Sequence, residues 1–268
     1  MTPAQALLLR VTSAQWLKMD DDARRVVFDA LHEVVPARFL LATIVGHAPR
    51  PLPFYIDQQT LLGFYLVFGQ SLVMGATDAE IATARLELER RSAEEFYEGP
   101  RRIDGHLVSP AHVVDVAPFL ACESGLGHSA WARIGVTLAP GGPPQANALD
   151  AVRAQGWRLP SEAELELVRL LCTHAELGRF DDGLCADDWH EDYRGAPTRG
   201  TPWGQSAGLM RLVDDHDGLR TIRRERAKGR LYVRPFISLF PDSMGYSVEA
   251  IAARAAEPPM RAAERSTT

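Results

Sequence analysis

Two stretches of the chain collect side chains able to bind or to react. Between positions 181 and 192, Asp181, Asp182, Asp187, Asp188, His190 and Asp192 make an oxygen-rich run, the donor type that calcium accepts. Their intervals are not those of a known calcium loop, so a solvated acidic loop is the leading reading and no metal ligand is assigned. Trp189 lies in this run, with Tyr193 and Trp203 after it. Rings of this kind bury well while their N–H or O–H seeks a polar partner. The second stretch is cationic: Arg220, Arg223, Arg224, Arg226, Lys228 and Arg230 stand against Glu225 alone, in a chain of net charge −6. Guanidinium groups grip carboxylates in a fixed fork, so the stretch suits an anion or acidic peptide. The plain alternative is a solvated hairpin turning at Lys228-Gly229. Cys122, Cys172 and Cys185 have no CxxC spacing, and a buried cysteine usually behaves as a small hydrophobe.

These groups need elements to hold them. Acidic residues from Asp20 to Asp22 open a helix in which Val26, Val27, Ala30, Leu31 and Val34 recur at helical spacing, and Pro36 closes it. The apolar run from Phe39 to Val45 is its natural partner. Pro49, Pro51 and Pro53 then suggest a boundary near residue 55. Beyond it, residues 61–68 and 112–120 read as strands, the second buried on both faces. Residues 77–91 read as an exposed charged helix. Residues 147–155 form a short helix stopped by Gly156, and residues 161–171 form another, opened by the capping box Ser161 and Glu164. Residues 177–208, rich in Gly, Pro, Asp and Trp, read as an irregular loop. Closing strands are expected at 209–213, 219–226 and 231–239, with a fraying helix after 247.

Composition narrows the function classes. Over 268 residues, 46% are hydrophobic and 24% charged, which excludes wholesale disorder. The acidic balance gives no general attraction to nucleic acid or an anionic membrane. The longest apolar runs fall far short of the roughly 20 residues that a membrane helix needs. An odd cysteine count with no secretion signal argues against a disulfide framework, so a cytoplasmic location is expected.

Four segments, in order, resemble the formylglycine-generating enzyme or sulfatase-modifying-factor family. Leu72-Val73-Met74-Gly75 looks like the family's opening strand. The segment from Pro110 to Phe119, with His112 and Val114, looks like its Pro-x-His-x-Val strand. Gly156-Trp157-Arg158-Leu159-Pro160-Ser161-Glu162-Ala163-Glu164 is similar to its Arg-Leu-Pro-Thr-Glu-Ala-Glu helix start. Cys185-Ala186-Asp187-Asp188-Trp189-His190-Glu191-Asp192-Tyr193-Arg194-Gly195-Ala196-Pro197 is similar to its Asp-x-Trp-His-x-x-Tyr-x-Gly-Ala-Pro loop. The resemblance implies an α+β, C-type-lectin-like domain with much irregular loop. On that reading the chain divides into an N-terminal helical arm (1–55), the domain (56–247) and a C-terminal tail (248–268).

The departures bear on chemistry. In the family, two cysteines near the C-terminal end of the domain hold copper, and soft thiolates suit Cu(I). This sequence has no cysteine after Cys185, and Arg211-Leu212-Val213-Asp214-Asp215 replaces the family's Arg-Gly-Gly-Ser-Trp strand end. A related branch holds iron with a separate helical bundle, and an arm of about 55 residues is too short for one. The expectation is therefore a pseudoenzyme with no catalytic residues and no predicted cofactor, calcium being the ion to which the acidic run is suited. It would bind a protein or acidic peptide, in a bacterial signalling or conflict-system assembly, through Trp189, His190, Tyr193, Trp203, Arg220, Arg223 and Arg226. The alternative is a metal-dependent oxidase or oxygenase with a divergent site.

Overall fold

The computed structural model describes residues 2–42, 52–94, 109–137, 147–175, 183–188, 190, 192–204, 209–213, 223–226 and 233–240. Three helices open the chain: α1 (Pro3–Arg10), α2 (Ser13–Lys18) and α3 (Asp21–Val34). Thr2 with Gln5 and Thr12 with Gln15 form reciprocal capping boxes on the first two, and Asp20 caps the third. The expected helix from Asp20 is α3, which buries Val27 and Leu31. The two helices before it were not foreseen.

A five-stranded antiparallel sheet forms the centre, in the order β1 (Phe39–Leu41), β2 (Phe54–Asp57), β3 (Gly63–Val67), β6 (Phe119–Cys122) and β10 (Phe236–Ser238). Its register pairs Phe39 with Asp57 and Leu66 with Leu120. Phe119 and Phe236 stack across β6 and β10 at 4.9 Å, a separation favoured for offset rings. The boundary expected near residue 55 falls inside β2. The N-terminal segment supplies β1 to this sheet, and Trp16 stacks on Phe68 at 4.9 Å while Ser13 Oγ donates to the Phe68 carbonyl at 2.8 Å. Leu8, Trp16, Leu31, Phe64, Leu120 and Phe236 accordingly share one buried cluster, so the arm is part of the domain core.

Two smaller sheets flank this one. The strand expected over 112–120 is two strands, because Ala117-Pro118 interrupts the ladder where proline has no N–H to give. β5 (His112–Val116) pairs antiparallel with β4 (Gln70–Met74), while β6 joins the central sheet. The third sheet is β7 (Gly183–Asp188), β8 (Leu209–Val213) and β9 (Arg223–Arg226). β7 lies in the region read as an irregular loop and carries a bulge between Cys185 and Asp188. Glycine and paired aspartates are poor strand formers in isolation, so pairing with β8 decides this segment.

The remaining helices are α4 (Asp78–Glu94), α5 (His128–Arg133), α6 (Asn147–Ala154) and α7 (Glu162–Ala175). α4 is the exposed charged helix expected there, with Leu86 on the surface. α7 buries Leu165, Leu167, Val168, Leu170 and Leu171 and packs on β4, β5 and β7. Helices combined with antiparallel sheets make this an α+β architecture. Among the described residues no helix is long and apolar enough to cross a membrane. The expected tail after 247 lies outside the described residues.

Candidate functional site

The N-terminus of α7 is where the quoted motifs meet. Ser161 Oγ accepts the Glu164 N–H at 3.2 Å, and Glu164 Oε2 accepts the Ser161 N–H at 2.8 Å, the capping box read from the sequence. Arg158 clamps Glu164 with Nη1 and Nη2 of its guanidinium, at 2.7 and 2.6 Å. The Arg158 backbone exchanges two 2.9 Å hydrogen bonds with Phe236 of β10. Ser161 Oγ also donates to the Gly200 carbonyl at 2.8 Å, so the cap fastens a loop as well as a helix.

Glu162, the first residue of α7, is buried at 4% exposure where the positive end of the helix favours a carboxylate. Its Oε1 accepts the Tyr193 hydroxyl at 2.6 Å, and its Oε2 lies 3.1 Å from His190 Nε2. His190 Nδ1 lies 2.9 Å from the Asp192 carbonyl oxygen. Asp187, on β7, accepts the Glu162 N–H at 2.7 Å and the Trp203 N–H at 2.9 Å. Asp188 returns its own N–H to the Trp203 carbonyl at 2.8 Å. Gly204 follows at φ +92°, and a Cβ there would lie 2.1 Å from Asp188 Oδ2, so this turn requires glycine. The His190 ring packs on Trp203 at 4.1 Å and the His112 ring on Tyr193 at 4.9 Å.

Burial, followed by the neighbouring Glu162 charge, pushes the Asp187 carboxyl up to about 7. Burial likewise pushes Cys122 to about 11 and Cys185 well above the ordinary thiol value. Burial therefore favours the neutral thiol at both positions. The Cys172 side chain lies outside the described residues.

Between this cluster and β5 lies a recess, partly open to solvent, lined by His112, Glu162, Asp187, Tyr193, Arg199 and Trp203, among others, with a volume of about 20 Å³. Its innermost space has room for about one water. Among the described residues no group of three or more His, Cys, Asp or Glu side chains is placed to hold a metal ion. Within the acidic run, Asp187 is occupied by two backbone donors, and Asp181 and Asp182 lie outside the described residues.

Of the expected site residues, His190, Tyr193 and Trp203 come together. Trp189 and Arg220 lie outside the described residues. Arg223 and Arg226 are on β9, paired with Val213 and Met210 of β8, and β8 in turn pairs Met210 with Cys185 of β7. In the sheet order, β8 lies between the backbone of β9 and the strand to which the loop is fastened, and the side chains of β9 lie outside the described residues. Sequence reasoning missed Glu162 and Asp187 as the hub. The signal was the spacing itself, since Glu162 follows the capping serine and Asp187 opens the Asp-x-Trp-His segment.

No protein-family model matches the chain, and no curated protein matches it. Among solved structures, that of PvdO from Pseudomonas aeruginosa is similar over 68% of this chain and 97% of its own, with 16% identity and a TM-score of 0.48.

Proposed function

We propose that this chain is a divergent formylglycine-generating-enzyme-like protein that has lost the oxidase chemistry and acts as a binding module. It captures an acidic segment of a protein partner in a cytoplasmic bacterial signalling or conflict-system assembly. The family reading is supported by the order of the four motifs and by the capping box at Ser161 and Glu164, which forms at the position the motif implies.

The observation that supports a binding role is the use made of the candidate side chains. The His190 ring and the Tyr193 hydroxyl bond to Asp192 and Glu162, the Trp203 ring packs on His190 while its backbone N–H donates to Asp187, and so residues 192–204 are held in a preset shape. A preshaped loop binds with little ordering cost. Arg194, Thr198 and Arg199 are exposed on it, and the basic residues 220–230 add forked donors suited to carboxylates. The test is co-purification from the native host with Arg223→Glu combined with Arg226→Glu. Recovery of an acidic partner falls, and parent recovery falls as salt rises, because exposed charges are screened beyond about 8 Å at physiological ionic strength. Unchanged recovery of every partner, with folding verified by circular dichroism, leaves the basic strand as a solvated edge.

A further inference from the structure

The hydrogen bonds that fasten residues 192–204 to α7 and β7 fix how many protons the cluster must carry. Asp187 accepts two backbone N–H groups and Glu162 Oε1 accepts the Tyr193 hydroxyl; these donors carry their hydrogens at every relevant pH. His190 differs. Its Nδ1 faces the Asp192 carbonyl oxygen at 2.9 Å and its Nε2 faces Glu162 Oε2 at 3.1 Å. Both partners are acceptors in their ordinary forms, and a neutral imidazole has a single N–H. Making both bonds requires one proton beyond those of a neutral ring and a carboxylate, held between His190 and Glu162. Without it a lone pair faces a lone pair where the two side chains are only 11% and 5% exposed and little water enters to relieve the contact.

We propose that residues 192–204 form a pH-sensitive latch, closed while a proton sits between His190 and Glu162 and released when that proton leaves. The surrounding charges act in the same direction. α7 contributes Glu162 and Glu164, the latter clamped by Arg158. β7 contributes Asp187, Asp188 and the Cys185 thiol, and the loop contributes Asp192, paired with Arg194, together with Tyr193 and Arg199. β5 contributes His112 and Asp115, the latter bridged to Arg199 through the backbone. Loss of the shared proton sets a bare Glu162 carboxylate beside Asp187, whose own proton is held up to about 7. Two like charges in one buried site repel. Release removes the wall of the recess that Tyr193, Arg199 and Trp203 form.

Hydrogen exchange of the full chain between about pH 5.5 and about pH 8.5, corrected for intrinsic exchange, tests the latch. The reporters are the amides of Tyr193, bonded to Ser109, Gly200, bonded to Asp115, and Trp203, bonded to Asp187. Their protection falls by about tenfold or more across that range, and by more than that of the Val35 amide at the end of α3. Constant protection at the reporters, or an equal loss at Val35, overturns the proposal. Glu162→Gln is the second arm. Its amide N–H satisfies a neutral Nε2 while its oxygen still accepts the Tyr193 hydroxyl, so the pH dependence of reporter protection shrinks to the part that Asp187 contributes. A folded Gln variant that keeps the parent's pH dependence also overturns the latch.

Discussion

Replacing Ser161 by alanine removes two bonds at once. The Oγ accepts the Glu164 N–H at 3.2 Å as an N-cap and donates to the Gly200 carbonyl at 2.8 Å. Loss of an N-cap oxygen costs about 1 kcal/mol, and loss of a further hydrogen bond at a fully buried site adds about 1 kcal/mol. A total near 2 kcal/mol lowers the melting temperature of a chain this size by roughly 4–8 °C. Chemical denaturation of parent and variant supplies the measurement. Two further variants apportion the loss. Ser161→Thr keeps both functions of the hydroxyl, whereas Ser161→Asp keeps the cap and cannot donate to Gly200 once ionised. The order expected is parent, Thr, Asp, Ala. An alanine variant within about 0.5 kcal/mol of the parent would refute the reasoning, since it would mean that neither bond is made.

Gly204→Ala places a Cβ 2.1 Å from Asp188 Oδ2 at φ +92°, and the variant loses more than about 1 kcal/mol in the same assay. For Asp187 the folded pKa, about 7, lies above the unfolded value of 3.8. Its stabilising contribution is complete below about pH 4 and is lost as pH rises through about 7, by up to ~4 kcal/mol. Urea melts at several pH values detect it as a slope that Asp187→Asn removes. Incubation with copper, reductant and a cysteine-containing sulfatase peptide yields no formylglycine by mass spectrometry, given that no cysteine follows Cys185; a protein-dependent aldehyde would contradict this.

Local chemistry made part of the structure readable in advance. The acids at 20–22 and the apolar spacing after them specify α3 without help from the rest of the chain, and the Ser161 and Glu164 pair specifies the start of α7. What escaped depends on distant partners. Nothing in Gly183 to Asp188 favours an extended strand until β8 is beside it. The change of sheet at Pro118 is invisible in a run of Val and Phe that reads equally well as one strand. Glu162 looks like an ordinary first-turn acid, and its role as a hub appears only when Tyr193 and His190, about thirty residues later, close over it. The aromatic part of the candidate site was therefore legible as a set of residues, but the acids that organise it were not.

The strand order of the central sheet has a consequence for synthesis. β6 is bordered by β3 on one side and by β10 on the other, and β10 leaves a ribosome more than a hundred residues after β6 does. During that interval the side of β6 that will receive Phe236 to Ser238 has no cognate strand, and an open apolar edge of this kind pairs readily with other chains. Long-range pairing of this sort is also slow to form. Nascent chains stalled before residue 236 are thus expected to be the species that chaperones retain and that aggregates first, and cooling during expression should favour the chains that reach full length.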